Sequence, residues 1–281
     1  MIYYPMLSKT LKQKFKPGKE ELTRLGAEFN SEVIPIIENL HRTTYWILID
    51  NRQTRNLIKK VFFEAMENCY VTKNTADWKS WVYRIWIREI LDYYSEKEND
   101  IKTNFEFIDT TEIKLNNFEN IFTISEFDVH LNIALKKLPA VLRIPLIMKE
   151  VLSMNYEKIS ELIDVPEGVI ATRIYRARKL LCLFLLGGFD YEGLKGKNIS
   201  SEDTKPIFTL RNFALLSDNE LSEAEHKDLI ELIKDNELYE TEKRLQSKVK
   251  SILNTLKGDK SEELKIKAKI EKKAKNWFST H

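Results

Sequence analysis

The residues from Leu138 to Leu181, LPAVLRIPLIMKEVLSMNYEKISELIDVPEGVIATRIYRARKLL, constrain the fold of this chain more than any other stretch. Lys158 to Ile163 forms a short amphipathic helix with Ile159, Leu162 and Ile163 on one side. Asp164-Val165-Pro166 ends it, because proline disfavours helix in the residue before it and suits the first turn of the next helix. From Glu167 onward Ile170, Ile174, Ala177 and Leu181 recur at helical spacing and face inward. Thr172, Arg173, Arg176 and Lys179 take the opposite side. A short helix, a tight turn and a longer helix with an outward basic face make a helix-turn-helix, whose second helix suits a DNA major groove.

Composition restricts what surrounds this motif. A length of 281 residues allows two or three small domains, each with its own core. With only 8 Gly and 7 Pro, helices joined by short turns fit better than a sandwich or barrel, so the fold class expected is all-α. The net charge of +2 gives no global basic field, and any nucleic-acid surface must be local. Cys69 and Cys182 sit in apolar helical patterns without paired Cys/His spacing, which argues against a metal site or disulfide framework and for a reducing cytoplasm. No cofactor is implied, and no run reaches membrane-spanning length. No nucleophile or paired-carboxylate constellation stands out, so the chain does not read as an enzyme.

Along the chain, residues 1–20 read as a basic N-terminal arm and 21–98 as a helical domain. In that domain Leu57, Ile58, Val61, Phe62, Ala65, Met66 and Cys69 form one apolar stripe, leaving Asn56, Lys59, Lys60 and Phe63 outside it. Asp77 can cap the next helix, DWKSWVYRIWIREILDYY, which is aromatic nearly all round. Residues 99–129 form an acidic linker, 130–188 the helix-turn-helix domain, 189–205 a second linker and 206–281 a C-terminal helical extension. The Leu180–Leu186 run is too apolar to lie in water and needs a cover. Ser222 begins a Ser-x-x-Glu capping signal. From Lys257 the chain alternates Lys and Glu around Ile266, Ile270, Ala274 and Trp277, which reads as a mobile charged helix with Trp277-Phe278 available as an anchor.

LPAVLR and then YEKISELIDVPEGVIATRIYRARKLL resemble region 4 of the extracytoplasmic-function (ECF) class of sigma-70 family factors. That pattern runs L-P-x-x-x-R, then Y-x-E-I-A-x-x-L-G-I/V-P-x-G-T-V-K-S-R-L/I-x-R-A-R-x-x-L. The chain departs from it with Ser160 for Ala, Asp164 for Gly, Val169 for Thr, Ala171 for Lys and Thr172 for Ser. An aspartate tolerates the left-handed backbone that the glycine usually supplies. LIKKVFFEAMENCY and DWKSWVYRIWIREILDYY resemble region 2 of the same family more distantly, through Leu57, Val61, Phe62, Ala65, Trp81, Tyr83, Ile85 and Asp92. Lys59-Lys60 replaces the usual Gln-acid pair, Arg88 stands where Asn is common, and the basic run after Asp92 is thinned.

The resemblance implies a factor that binds core RNA polymerase, through the β′ clamp and the β flap, and brings it to promoter DNA. Asn56, Lys59, Lys60 and Phe63 become the expected polymerase-binding face. Thr172, Arg173 and Arg176 become the expected readers of the upstream element, with Arg178 and Lys179 available for phosphates. Trp81, Tyr83, Trp86 and Arg88 are placed near the bases of the melted element. LSDNELSEAEHKDLIELI faintly resembles the start of zinc-associated anti-sigma domains, but Leu232, Asn236 and Tyr239 stand where the zinc ligands do. The extension thus either folds back on the factor and restrains it in cis, or recruits another protein, such as an anti-sigma factor or a DNA-targeting partner that takes over part of promoter choice. Two rivals stay open. One is a helix-turn-helix regulator independent of polymerase; the other is a non-initiating protein that occupies polymerase or a sigma factor.

Overall fold

The computed structural model describes residues 18–69, 77–97, 127–185, 210–233, 237–256 and 258–280. Among these no strand occurs, and helices carry the architecture. The basic arm up to residue 17, residues 99–126 of the acidic linker and the linker between 189 and 205 lie outside the described residues, while 127–129 of the expected acidic linker are helical. The chain divides into two compact units: one draws on 1–42, 50–90 and 258–281, the other on 43–49 and 91–257.

The first unit opens with α1 (Lys19–Glu28), which passes through a wide turn at Phe29–Val33 and a tight one at Ile34–Ile36 into α2 (Ile37–Leu48). The change of pitch falls where Pro35 lacks an N–H to give to the turn before it. Asp50 starts α3 (Asn51–Glu67) by accepting hydrogen bonds from the amides of Arg52 and Gln53 at 2.8 and 3.0 Å. The apolar stripe of α3 is buried as its spacing requires, with Ile58, Val61, Phe62 and Ala65 fully enclosed. Asp77 caps α4 (Trp78–Lys97) through the amide of Ser80, 2.9 Å away. Trp78 is buried on this helix and donates its indole N–H to Glu28 at 3.1 Å.

The charged tail is not a mobile helix. Its helix, numbered α12 (Lys260–Thr280) in chain order, belongs to the first unit and packs along α1 and α3. Ile266, Ile270 and Ala274, each four residues from the last, are buried as one stripe. Burying each isoleucine contributes on the order of 1.5–3 kcal/mol. The ion pairs at the edges, Arg55 with Glu262 and Lys267 with Glu38, are open to solvent, which screens them, so they add little. Apolar burial therefore decides the docking.

Two glycines make room for it. A Cβ on Gly26 would lie 3.0 Å from the Phe278 ring, and one on Gly258 would fall 1.6 Å from the carboxylate of Glu263, which is buried and pairs with Arg42. Phe278 in turn packs on Phe29 with ring centroids 5.6 Å apart. The aromatic anchor at the end of the tail is thus held within the chain itself.

The second unit contains α5 (Phe127–Lys137), α6 (Ala140–Leu152), α7 (Tyr156–Ile163) and α8 (Glu167–Leu185). To these the chain adds α9 (Leu210–Ser217), α10 (Glu223–Ile233) and α11 (Glu237–Leu253). Arg143 fastens the α5–α6 corner. It is buried, donates to the carbonyls of Leu135, Lys136 and Leu138 at 2.7–3.1 Å, and reaches at 2.7 Å the hydroxyl of Tyr94, in the end of α4 that belongs to this second unit. Those carbonyls lie at and just past the C-terminal end of α5, where acceptors outnumber helical amides, which is why an arginine suits this place. The capping signal at Ser222 forms as its sequence predicts: the hydroxyl accepts from the amide of Glu225, whose carboxylate accepts from the amide of Ser222.

Candidate nucleic-acid interface

The turn between α7 and α8 is set by two residues acting together. Asp164 adopts φ 59°, ψ 47°, the left-handed conformation that closes α7. Ser160 locks it, donating its hydroxyl to the carbonyl of Val165 at 2.7 Å while the amide of Val165 returns to the carbonyl of Ser160 at 3.3 Å. Ile159, Leu162, Ile170, Ile174 and Ala177 are buried between the helices, so α8 is held by its inner face.

The outer surface of α8 is split into two strips. Gly168, Ala171, Tyr175 and Arg178 follow one another at spacings of three or four residues and share a strip. This strip faces α9, which packs against α8 more extensively than most other helices do. At one end a Cβ on Gly168 would meet the Arg211 side chain at 3.2 Å, and Arg211 reaches toward Glu167 at 3.8 Å. At the other end Arg178 meets Asp218, just past the end of α9, at 3.0 Å. Ala171 between them is fully buried, and a lysine there would have to bring its charge under α9. The second strip carries Val169, Thr172, Arg173 and Arg176; Val169 is exposed and the other three are half-buried. Thr172 donates its hydroxyl to the carbonyl of Gly168 at 2.8 Å.

Two cations expected at phosphates are placed elsewhere. Arg178 is fully buried, with its Nε 2.9 Å from Glu150 and further bonds to Asp218 and to the side-chain oxygen of Gln246. Burial works against its charge, but Glu150 and Asp218 outweigh that and raise its pKa. Burial likewise opposes ionisation of Asp218, yet Arg178 and the hydrogen bonds from Lys250 and Tyr156 hold its pKa below the ordinary value. Lys179 is also fully buried, its ammonium 5.9 Å from the centre of the Tyr175 ring. Both lie next to residues on the other strip, but Arg178 is turned toward Asp218 and Gln246, and Lys179 is enclosed beside Tyr175. The Leu180–Leu185 run is enclosed in the same way, among α5, α6, α9 and α11.

Residues 134–181 match the family described as Sigma-70, region 4. Curated relatives carry the same class. The ECF RNA polymerase sigma-E factor of Haemophilus influenzae is 23% identical over 141 residues, covering 45% of this chain and 71% of the relative. The sigma-E factor of Escherichia coli is 23% identical over 135 residues, covering 45% and 70%. The chain is thus similar to ECF-class members of the sigma-70 family, and the family match itself falls on the helix-turn-helix. No helix among the described residues is long and apolar enough to cross a membrane.

The remaining expected site residues lie in the first unit. Asn56 and Lys60 are exposed on α3, Lys60 pairing with Glu89 at 2.5 Å, while Lys59 and Phe63 are half-buried. The ammonium of Lys273 on α12 sits 5.1 Å from the centre of the Phe63 ring. On α4, Trp86 is fully buried and Tyr83 nearly so, so neither ring offers a face to an unstacked base in this arrangement. Trp81 is half-buried, its ring 5.8 Å from that of Trp78, and Arg88 is held by Glu64 at 2.6 Å. As an all-round aromatic pattern implies, most of these rings are core, and the helix keeps one partly open edge. The sequence reading missed Asp218 and Glu220 as the partners of the helix-turn-helix, and only their place in the D-N-E turn ahead of a capping signal marked them.

Proposed function

We propose that this chain is an ECF-type sigma factor which binds core RNA polymerase, directs promoter-specific initiation and is restrained in cis by its C-terminal helices. What supports this reading is that C-terminal helices pack against the two elements that carry the expected DNA and polymerase contacts. α9 runs along one strip of α8, and α12 lies against α3, the helix that bears the expected polymerase face. Thr172, Arg173 and Arg176 lie half-buried on the other strip and supply base reading, with the exposed Val169 beside them. Phosphate contacts from neighbouring cations supply the salt-sensitive part of the affinity. Factor, polymerase and promoter DNA would meet in the cytoplasm.

The test is capture of core RNA polymerase by the full chain and by Gly26→Leu, which overfills the seat of Phe278. The restrained factor gives weak capture by the wild type and several-fold stronger capture by G26L. Equal capture removes the restraint and leaves recruitment of another protein by the extension. No capture by either removes polymerase binding and leaves a free helix-turn-helix regulator. Permanganate reactivity of promoter thymines in the captured complex separates an initiating factor from one that occupies polymerase without opening DNA.

A further inference from the structure

Lys149 on α6 and the first amide of α7 converge on one point, and an anionic group already sits there. The carboxylate of Glu220 accepts from the Lys149 ammonium through one oxygen and from the amide of Tyr156 through the other, the latter at 2.8 Å. The local cap of α7 does not compete for it, because Asn155 accepts from the amide of Lys158 at 2.9 Å and leaves that of Tyr156 to an outside acceptor. The Lys149 ammonium also stands 4.6 Å from the centre of the Tyr156 ring.

The acid comes from outside the helix-turn-helix. Asp218, Asn219 and Glu220 form a turn in which Asn219 takes φ 55°, with one carboxylate on each side of it. Asp218 accepts from Tyr156 and Arg178 of the motif and from Lys250 of α11, the last at 2.6 Å. A lysine ammonium beside a helix-starting amide, on the first helix of a helix-turn-helix, is the donor set that holds a nucleic-acid backbone phosphate. Carboxylates of one short turn hold that lysine, that amide and a further arginine of the motif.

We propose that Lys149 and the Tyr156 amide form a site for one backbone phosphate of duplex DNA, and that Glu220 occupies it in cis. The inference rests on the DNA-binding reading of α7 and α8. It adds a cation that was not among the expected DNA contacts, and it gives the D-N-E turn a role as a phosphate stand-in.

The experiment uses the full chain and a short random-sequence DNA duplex, because a phosphate contact does not depend on sequence. Fluorescence anisotropy is recorded over a range of KCl for the wild type, K149Q, D218N/E220Q and the triple variant. D218N/E220Q should bind several-fold tighter, with a salt slope steeper by about 0.9 for the recovered phosphate. K149Q should be silent in the wild-type background and should abolish the added slope in the D218N/E220Q background. Equal cost of K149Q in both backgrounds overturns the proposal, since the double variant would then act only through net charge. Wild-type affinity and slope in D218N/E220Q overturn it as well. If D218N/E220Q loses its helical signal, E220Q alone, which keeps Asp218 on Arg178 and Lys250, carries the same comparison. Absence of duplex binding by every form at the lowest salt overturns the DNA-binding reading itself, a result distinct from binding that ignores Lys149.

Discussion

Ser160 and Asp164 differ from the family pattern, and their geometry shows why they differ together. A left-handed aspartate costs free energy that a glycine would not, and the Ser160 hydroxyl bonded to the Val165 carbonyl holds the turn in that state. Asp164→Gly should leave the melting temperature nearly unchanged, whereas Asp164→Val should lower stability by about 1–2 kcal/mol, read by thermal unfolding. This much was legible, because a turn ahead of Val165-Pro166 demands such a residue. The fate of Arg178 was not. Its pattern marked a basic helix end, and nothing within that window reveals that Asp218, forty residues later, will meet it in the core. His41 was equally silent. It is buried, neither ring nitrogen has a hydrogen-bond partner, and burial lowers its pKa despite the nearby Glu263, Glu262 and Asp259. A histidine depressed on folding favours the folded state above its unfolded pKa, and that advantage is lost as pH falls below about 6.5. Stability should therefore drop between pH 7 and pH 5.5 in the wild type and drop less in His41→Leu, as followed by urea melts across that range.

At the scale of elements, α12 and α9 give different lessons. The stripe of Ile266, Ile270 and Ala274 was visible as a periodicity, but a Lys- and Glu-rich helix with three small apolar steps does not announce a partner. The partner is marked by Gly26 and Gly258, each meaningful only once the far residue it admits is known. Ile270→Asp places a charge in that buried stripe and should release the whole helix. Amide exchange should then rise throughout residues 260–280 while α6, α7 and α8 keep their protection. For α9, the requirement that something cover Leu180–Leu185 was readable from hydrophobicity alone, since exposed leucines are costly. Which segment does so was not, because the amphipathic helices that follow have interchangeable patterns.

For the whole molecule, the two units should fail in different pH windows. The second unit contains Asp218, whose pKa is lowered on folding although burial opposes it. Its contribution is present above the ordinary value of 3.8 and is lost as pH falls through the lower folded value. Acidification should therefore loosen the first unit near His41 before the second, with exchange in α1, α3 and α12 rising at higher pH than exchange in α6 and α8. Simultaneous loss of both units would show them to be one cooperative body. The division itself was hidden in the sequence, which suggested consecutive domains, because a segment after residue 257 completes a unit begun near residue 18.

That completion carries a consequence for how the protein is made. A ribosome must translate residues 91–257 before it reaches α12, so the seat around Gly26 and Phe29 stays empty through most of synthesis. During that interval the nascent chain offers α1 and α3 to whatever is nearby, and closure waits for a long-range encounter that is slow by topology. A newborn chain thus passes through an open form before it can reach the closed one, and a partner met during translation has first claim on it.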